Sequence, residues 1–195
     1  MSFLDKFKKK KEESVFVELH LNARFQPKHR FPLEDAIEKV ISKLKLGSLD
    51  GGGTAQDPET GEIRYCDINF ILKDSSDETI EKFVDIVNSM GIPKGSYLKY
   101  DDKTVPVGTQ DGLALYLNGT ELPAEVYENN DINELMEAVG ECLDGCAKLR
   151  SYWEGNEWTA LYYYGDTPYA DMAEKIREIT DEHPLCQKCR VEQIA

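Results

Sequence analysis

At 195 residues and 41% hydrophobic content, the chain can build one large domain or two of roughly 100 residues, each with its own core. It carries 37 acidic against 23 basic residues, a balance that argues against binding phosphate backbones, and no apolar run approaches the roughly 20 residues of a membrane-spanning helix. The charge is unevenly placed: residues 1–100 hold 17 acids and 16 bases, residues 101–195 hold 20 acids and 7 bases.

Residues 1–14 form a basic segment in which Phe3, Leu4 and Phe7 sit beside Lys6 and the lysines at 8–11. This amphipathic pattern is too short to anchor a chain and reads as a solubilising terminus or a short docked helix. With no apolar stretch of the secretory kind there, and an odd five cysteines, the expected setting is the cytoplasm with reduced thiols.

From Val15 the pattern alternates as in a strand, with Val15, Val17, Leu19, Leu21 and Phe25 on one face and Glu18, His20, Asn22 and Arg24 on the other. Pro32 is expected to open a helix carrying Leu33, Ile37, Val40, Ile41 and Leu44, with Gly47 ending it. The glycine-rich stretch 47–61 matches neither phosphate-loop nor dinucleotide spacing and reads as a flexible inter-strand loop ending in the DPETGE turn. Cys66, Ile68, Phe70 and Leu72 mark the core face of a second strand. Ser75 and Glu78 read as a capping box, Ile80, Phe83, Val84, Val87 and Met90 as the stripe of a second helix, and 97–100 as a closing strand.

After a linker at 101–111 the same order recurs. Leu113, Leu115 and Leu117 make a strand, and Ile132, Leu135, Met136, Val139 and Leu143 a helix. Residues 148–154 and 158–164 make a hairpin, Met172, Ala173, Ile176 and Ile179 a second helix, and 189–194 the last strand. With a further strand preceding or crossing the glycine-rich segment, the first unit completes the same order, and the resulting fold class is α+β: a tandem pair of ferredoxin-like βαββαβ units, 15–100 and 112–195, with mainly antiparallel sheets and helices on one face of each.

In that plan the uncovered sheet faces are the candidate surfaces. A two-residue turn at Gly155 and Asn156 would place Glu154 opposite Glu157, and would put Arg150, Tyr152, Glu154, Glu157 and Tyr163 on one face as a patch for a cationic partner. In the first unit, His20, Asp67 and Arg24 would share the wet face, the pattern of an oriented general base beside an anion-holding cation. Cys186 and Cys189, with His183 nearby, raise zinc ligation, but in a regular strand residues three apart point to opposite faces. No cofactor is implied.

The reading that follows is a non-catalytic cytoplasmic module whose acidic second unit docks a basic protein. Its sharpest form is an immunity or antitoxin-type inhibitor of a toxin or nuclease. The alternatives are a small-anion ligand-binding protein or enzyme using the His20, Arg24 and Asp67 face, and a structural module that self-associates as a homodimer through sheet faces or edges. Direct nucleic-acid binding is not expected.

Overall fold

The computed structural model describes residues 13–195; the basic segment discussed above lies almost wholly outside them. It is an α+β protein with two antiparallel sheets, of five and four strands, and six α-helices among the described residues. None of these helices is long and apolar enough to cross a membrane.

The first unit runs β1 (Val15–Leu21), α1 (Pro27–Lys43), β2 (Gly47–Gln56), β3 (Ile63–Leu72), α2 (Asp77–Ser89), β4 (Ser96–Tyr100) and β5 (Lys103–Val107), in the sheet order β2-β3-β1-β4-β5. The second runs β6 (Asp111–Asn118), α3 (Ala124–Asn129), α4 (Ile132–Cys142), β7 (Lys148–Glu154), β8 (Trp158–Gly165), α5 (Tyr169–Lys175), α6 (Arg177–Glu182) and β9 (Arg190–Gln193), in the order β7-β8-β6-β9. Setting β5 aside, both sheets share one strand order, and the tandem βαββαβ expectation matches it.

Several local expectations differ. Helix α1 starts at Pro27, with Pro32 inside it on the exposed side, where one missing N–H is tolerated. Its end is turned by Lys45 in the left-handed region (φ 56°), and Gly47 instead opens β2. The glycine-rich stretch is not a loop as far as Gln56. It is the edge strand β2, hydrogen-bonded along β3 with an irregularity between Leu49 and Gly51. Gly52 permits this, because a Cβ there would stand 2.7 Å from the Asp67 carbonyl and 2.8 Å from Glu34 Oε1. The cap of α2 is Ser76, whose hydroxyl accepts from the Thr79 amide, one residue later than expected. Residues 103–107 of the expected linker form β5, paired along β4.

Two layers of core follow. In the first unit Leu33, Ile37 and Ile41 of α1 and Ile80, Phe83 and Val87 of α2 cover Val17, Leu19, Ile68 and Phe70, with the Phe70 and Phe83 rings edge-on at 5.1 Å. In the second, Leu135, Val139, Met172 and Ile176 cover Leu113, Leu115, Leu161 and Tyr163. The other face of the second sheet is not free. Ala114, Tyr116, Ala160, Tyr162 and Tyr164 pack into the core cluster of the first unit.

The segment after β1 fills that interface. The Arg24 amide donates to the Tyr164 hydroxyl at 2.8 Å, Phe25 meets the Tyr164 ring edge-on, and Gln26 Nε2 donates to the Tyr152 carbonyl at 2.6 Å. His29 Nδ1 lies 2.8 Å from Ser151 Oγ. Burial, with Lys28 alongside, lowers the His29 pKa and favours its neutral form. Glu62 Oε1 accepts from Tyr116 (2.6 Å), Tyr162 (3.0 Å) and Arg24 Nη1 (3.2 Å), joining both units at one atom.

Candidate functional site

Among the described residues, one sheet face has no element packed over it, that of the first unit. Antiparallel pairing sets His20 of β1 opposite Asp67 of β3 and Tyr97 of β4, and alternation aims all three to the helix-free side. His20 Nδ1 lies 2.8 Å from Asp67 Oδ1, with side-chain exposures of 19% and 30%. The Tyr97 ring stacks on the imidazole at 4.6 Å and 17°, and the Tyr65 ring leans on it at 4.7 Å and 45°. Gly53 lies opposite Asp67 and Gly51 opposite Asn69, and a Cβ at either glycine would meet nothing within 4 Å. The result is a low aromatic platform beside a bare strip of backbone. Phe16, 47% exposed, shares the face.

A neutral His20 donating Nδ1–H to Asp67 keeps Nε2 as an acceptor, the arrangement of an oriented base. The third expected member is absent. β1 ends at Leu21, so Arg24 leaves the sheet, and its guanidinium donates to Glu62 and to the Ile63 carbonyl (2.8 Å) at the interface. The platform is also shallow: a neighbouring cavity of about 430 Å³ is bounded by Phe16, Glu18, Lys99 and Asp101 rather than by His20.

The five residues expected to share a partner patch are dispersed. The hairpin turn is centred one residue later than expected, so Glu154 pairs with Thr159, and Glu154 and Glu157 are exposed but not opposite each other. A bulge at Arg150 also resets the faces of β7. Arg150 turns into the unit interface, donating to the Gly91 carbonyl at 2.6 Å with its guanidinium 5.0 Å from the Phe25 ring centre. Tyr152 packs against the helix-side core and takes a hydrogen bond from Lys28. Tyr163 is fully buried, its hydroxyl without a partner and its pKa driven up by desolvation.

The excess acid lies instead on α3, α4 and the turns that flank them. Between Glu121 and Asp144 there are eight acidic residues and no lysine or arginine. Glu121, Glu125, Glu128, Asp131, Glu134, Glu137, Glu141 and Asp144 are all exposed. Glu121 pairs with Lys188 at 3.0 Å. The periodicity of α4 held this information, since its apolar positions Leu135 and Val139 leave the acidic ones outward.

The cysteine geometry also differs from the strand expectation. β9 begins only at Arg190, and residues 186–189 form a turn closed by the Cys189 amide on the Cys186 carbonyl at 2.9 Å. His183 Nδ1 accepts from the Leu185 amide and caps the preceding helical turn. Among the described residues no three His, Cys, Asp or Glu side chains gather as a metal site.

No family profile and no curated protein matches the chain. Among solved structures, it aligns with an unknown protein from Galdieria sulphuraria at 12% identity, covering 93% of this chain and 96% of that one, with a TM-score of 0.29. A Fusobacterium nucleatum protein carrying a provisional monooxygenase label aligns at 10% identity over 93% and 91%, with a TM-score of 0.31. An anthrone oxidase-like protein aligns at 12% identity over 93% and 90%, with a TM-score of 0.28. Likeness at this level says nothing about activity.

Proposed function

We propose that the protein is a non-catalytic binding module that docks a basic protein through the helical layer of its second unit, with an immunity or antitoxin-type inhibitor as the sharpest form. The observation that supports this most is the run of eight exposed carboxylates from Glu121 to Asp144 without an intervening base. Mutual repulsion along that layer destabilises the free protein slightly and is relieved when a cationic surface arrives. A negative field of this kind also accelerates encounter with a positively charged partner in a salt-dependent way. Phosphate backbones are repelled by the same field.

The test is partner capture from the lysate of the source cell with the full chain, repeated with Glu134→Gln, Glu137→Gln and Glu141→Gln combined. The expected partner is a protein of basic pI, lost both in the triple variant and at about 0.5 M salt, where the Debye length falls to about 4 Å. A partner of acidic pI, or capture indifferent to both changes, refutes the reading.

A second reading, ligand binding or catalysis at His20, is favoured by the 2.8 Å contact with Asp67. The cation expected to hold the anion, Arg24, is committed to Glu62 instead. Titration of the His20 ring NMR signals with inorganic phosphate and small carboxylates checks it. Unmoved signals at millimolar ligand dismiss small anions.

A further inference from the structure

We propose that the turn Cys186–Cys189 is a thiol–disulfide exchange site that reacts with a low-molecular-weight disulfide such as glutathione disulfide and closes into an intramolecular disulfide. The backbone carries the argument. Gln187 (φ −58°, ψ 127°) and Lys188 (φ 62°) have the dihedrals of the two central residues of a type II turn, and the Cys189 amide to Cys186 carbonyl bond closes it. Such a turn brings its first and fourth Cα atoms within about 7 Å, and disulfides span Cα separations of about 4.4–6.8 Å, so the bond can form with little backbone movement.

The two sulfurs are placed for different roles. Cys189 is partly exposed, whereas Cys186 is 3% exposed among the core residues of the second unit. Cys189 is the more accessible sulfur, and the neighbouring Cys186 thiol holds its pKa below the ordinary cysteine range while Cys186 itself is pushed up by Cys189 and by burial, so Cys189 is the attacking group. Cys189 thiolate attacks one sulfur of the small disulfide, forming a mixed disulfide and expelling one small thiolate. Cys186 then loses its proton and attacks Cys189 sulfur, expelling the second small thiolate. Two protein thiols are oxidised and one small disulfide is reduced to two thiols, the proton that Cys189 gave to solvent on ionising and the Cys186 proton ending on the two departing thiolates. By contrast, Cys66 is fully buried, its pKa raised by desolvation, with its thiol donating to the Phe25 carbonyl.

The experiment equilibrates the full chain in buffers of stepped glutathione to glutathione disulfide ratio, quenches with acid, alkylates, and digests with trypsin. Cleavage after Lys188 separates the cysteines, so the internal disulfide is read as fragment 178–188 linked to fragment 189–190. That linked pair is expected as the dominant oxidised species. Cys186→Ser is expected to stop at one glutathione on Cys189, and Cys189→Ser to leave Cys186 unmodified. The proposal is overturned if the wild-type chain stays reduced at every ratio, or if it collects glutathione on separate cysteines without the link. Both readouts come from the unmutated protein and survive any folding defect in the variants.

Discussion

Glu62 is the sharpest test of how the two units are joined. Glu62→Ala removes the acceptor of two tyrosine hydroxyls that are almost wholly buried, Tyr116 at 3% and Tyr162 at 0% exposure, and frees Arg24 Nη1 from its carboxylate. Each buried hydroxyl left without a partner costs about 1–3 kcal/mol, and the 20% exposure of Glu62 lets water recover part of it, so a total loss of about 3 kcal/mol is expected. Glu62→Gln keeps an oxygen at the Oε1 position where all three donors converge, and loses only the charge. It should cost about 1 kcal/mol, the difference between charged and neutral hydrogen bonds. Urea unfolding followed by tryptophan fluorescence reports on the interface directly, because Trp153 and Trp158 pack against the shared core cluster. The same transition should appear in far-ultraviolet dichroism, as one cooperative event. For a chain of this length the alanine variant should melt roughly 6–12 °C lower. An alanine variant within about 0.5 kcal/mol of wild type, or one no worse than glutamine, would refute this account of the joint.

Other consequences are independent of that joint. Hydrogen bonds from the Ser76 and Thr79 hydroxyls, with the Ser76 amide, hold the Asp74 pKa down to about 2. Its stabilisation is therefore present above the unfolded-state value near pH 4 and lost as pH falls towards 2. Asp74→Asn should cost about 2 kcal/mol at pH 7 and almost nothing near pH 2, read from urea midpoints across pH. Burial and, at Tyr116 and Tyr162, the Glu62 carboxylate raise the pKa of Tyr116, Tyr162, Tyr163 and Tyr164. Raised pKa values favour the native state below the unfolded tyrosine pKa and penalise it above, so stability should fall as pH climbs past about 10, alongside a delayed phenolate absorbance. Gly165→Ala would set a Cβ 1.9 Å from the Cys146 carbonyl and 2.6 Å from Ala147 Cα; both are backbone, and a loss on the order of 3 kcal/mol is expected. Gly53→Ala, with open space around its Cβ, should lie within about 0.5 kcal/mol of wild type in the same assay.

The parts of this fold legible in the sequence are those written in side-chain periodicity. Leu33, Ile37 and Ile41, or Leu135 and Val139, announce a helix face because burial demands that spacing. β2 is legible only as the further strand that the βαββαβ order needs near the glycines, and its bounds are not, because an edge strand of glycines pairs through backbone alone and shows no alternation. β5 hid for the same reason, being exposed along most of its length and holding Pro106. His20 and Asp67 could be brought together from sequence because both lie on regular strands in the expected order. Arg24 could not be placed, since it lies past the strand end, where alternation stops applying. The hairpin failed by one residue in its turn and one inserted residue at Arg150, and in a period of two each such step exchanges core for solvent. The turn at Cys186 gave no warning because its left-handed position is held by Lys188 rather than glycine.

The location of the charge follows from this unequal use of two similar sheets. Desolvating carboxylates in an interface is costly unless each finds a partner, and the joint between the units has tyrosines and alanines in the second sheet, with Glu62 tied to three donors. The second unit has one sheet face on its helices and the other on the first unit, so its excess acid can reside only on helices, turns and edges. Among the described residues the first unit keeps a bare sheet face that is mixed in charge, with Glu18 and Asp67 against His20 and Lys99. Two surfaces of different character therefore lie on different units. A charge-neutralised α4 and a His20→Ala platform report on them separately, and loss of binding in only one of the two assigns the partner to that surface.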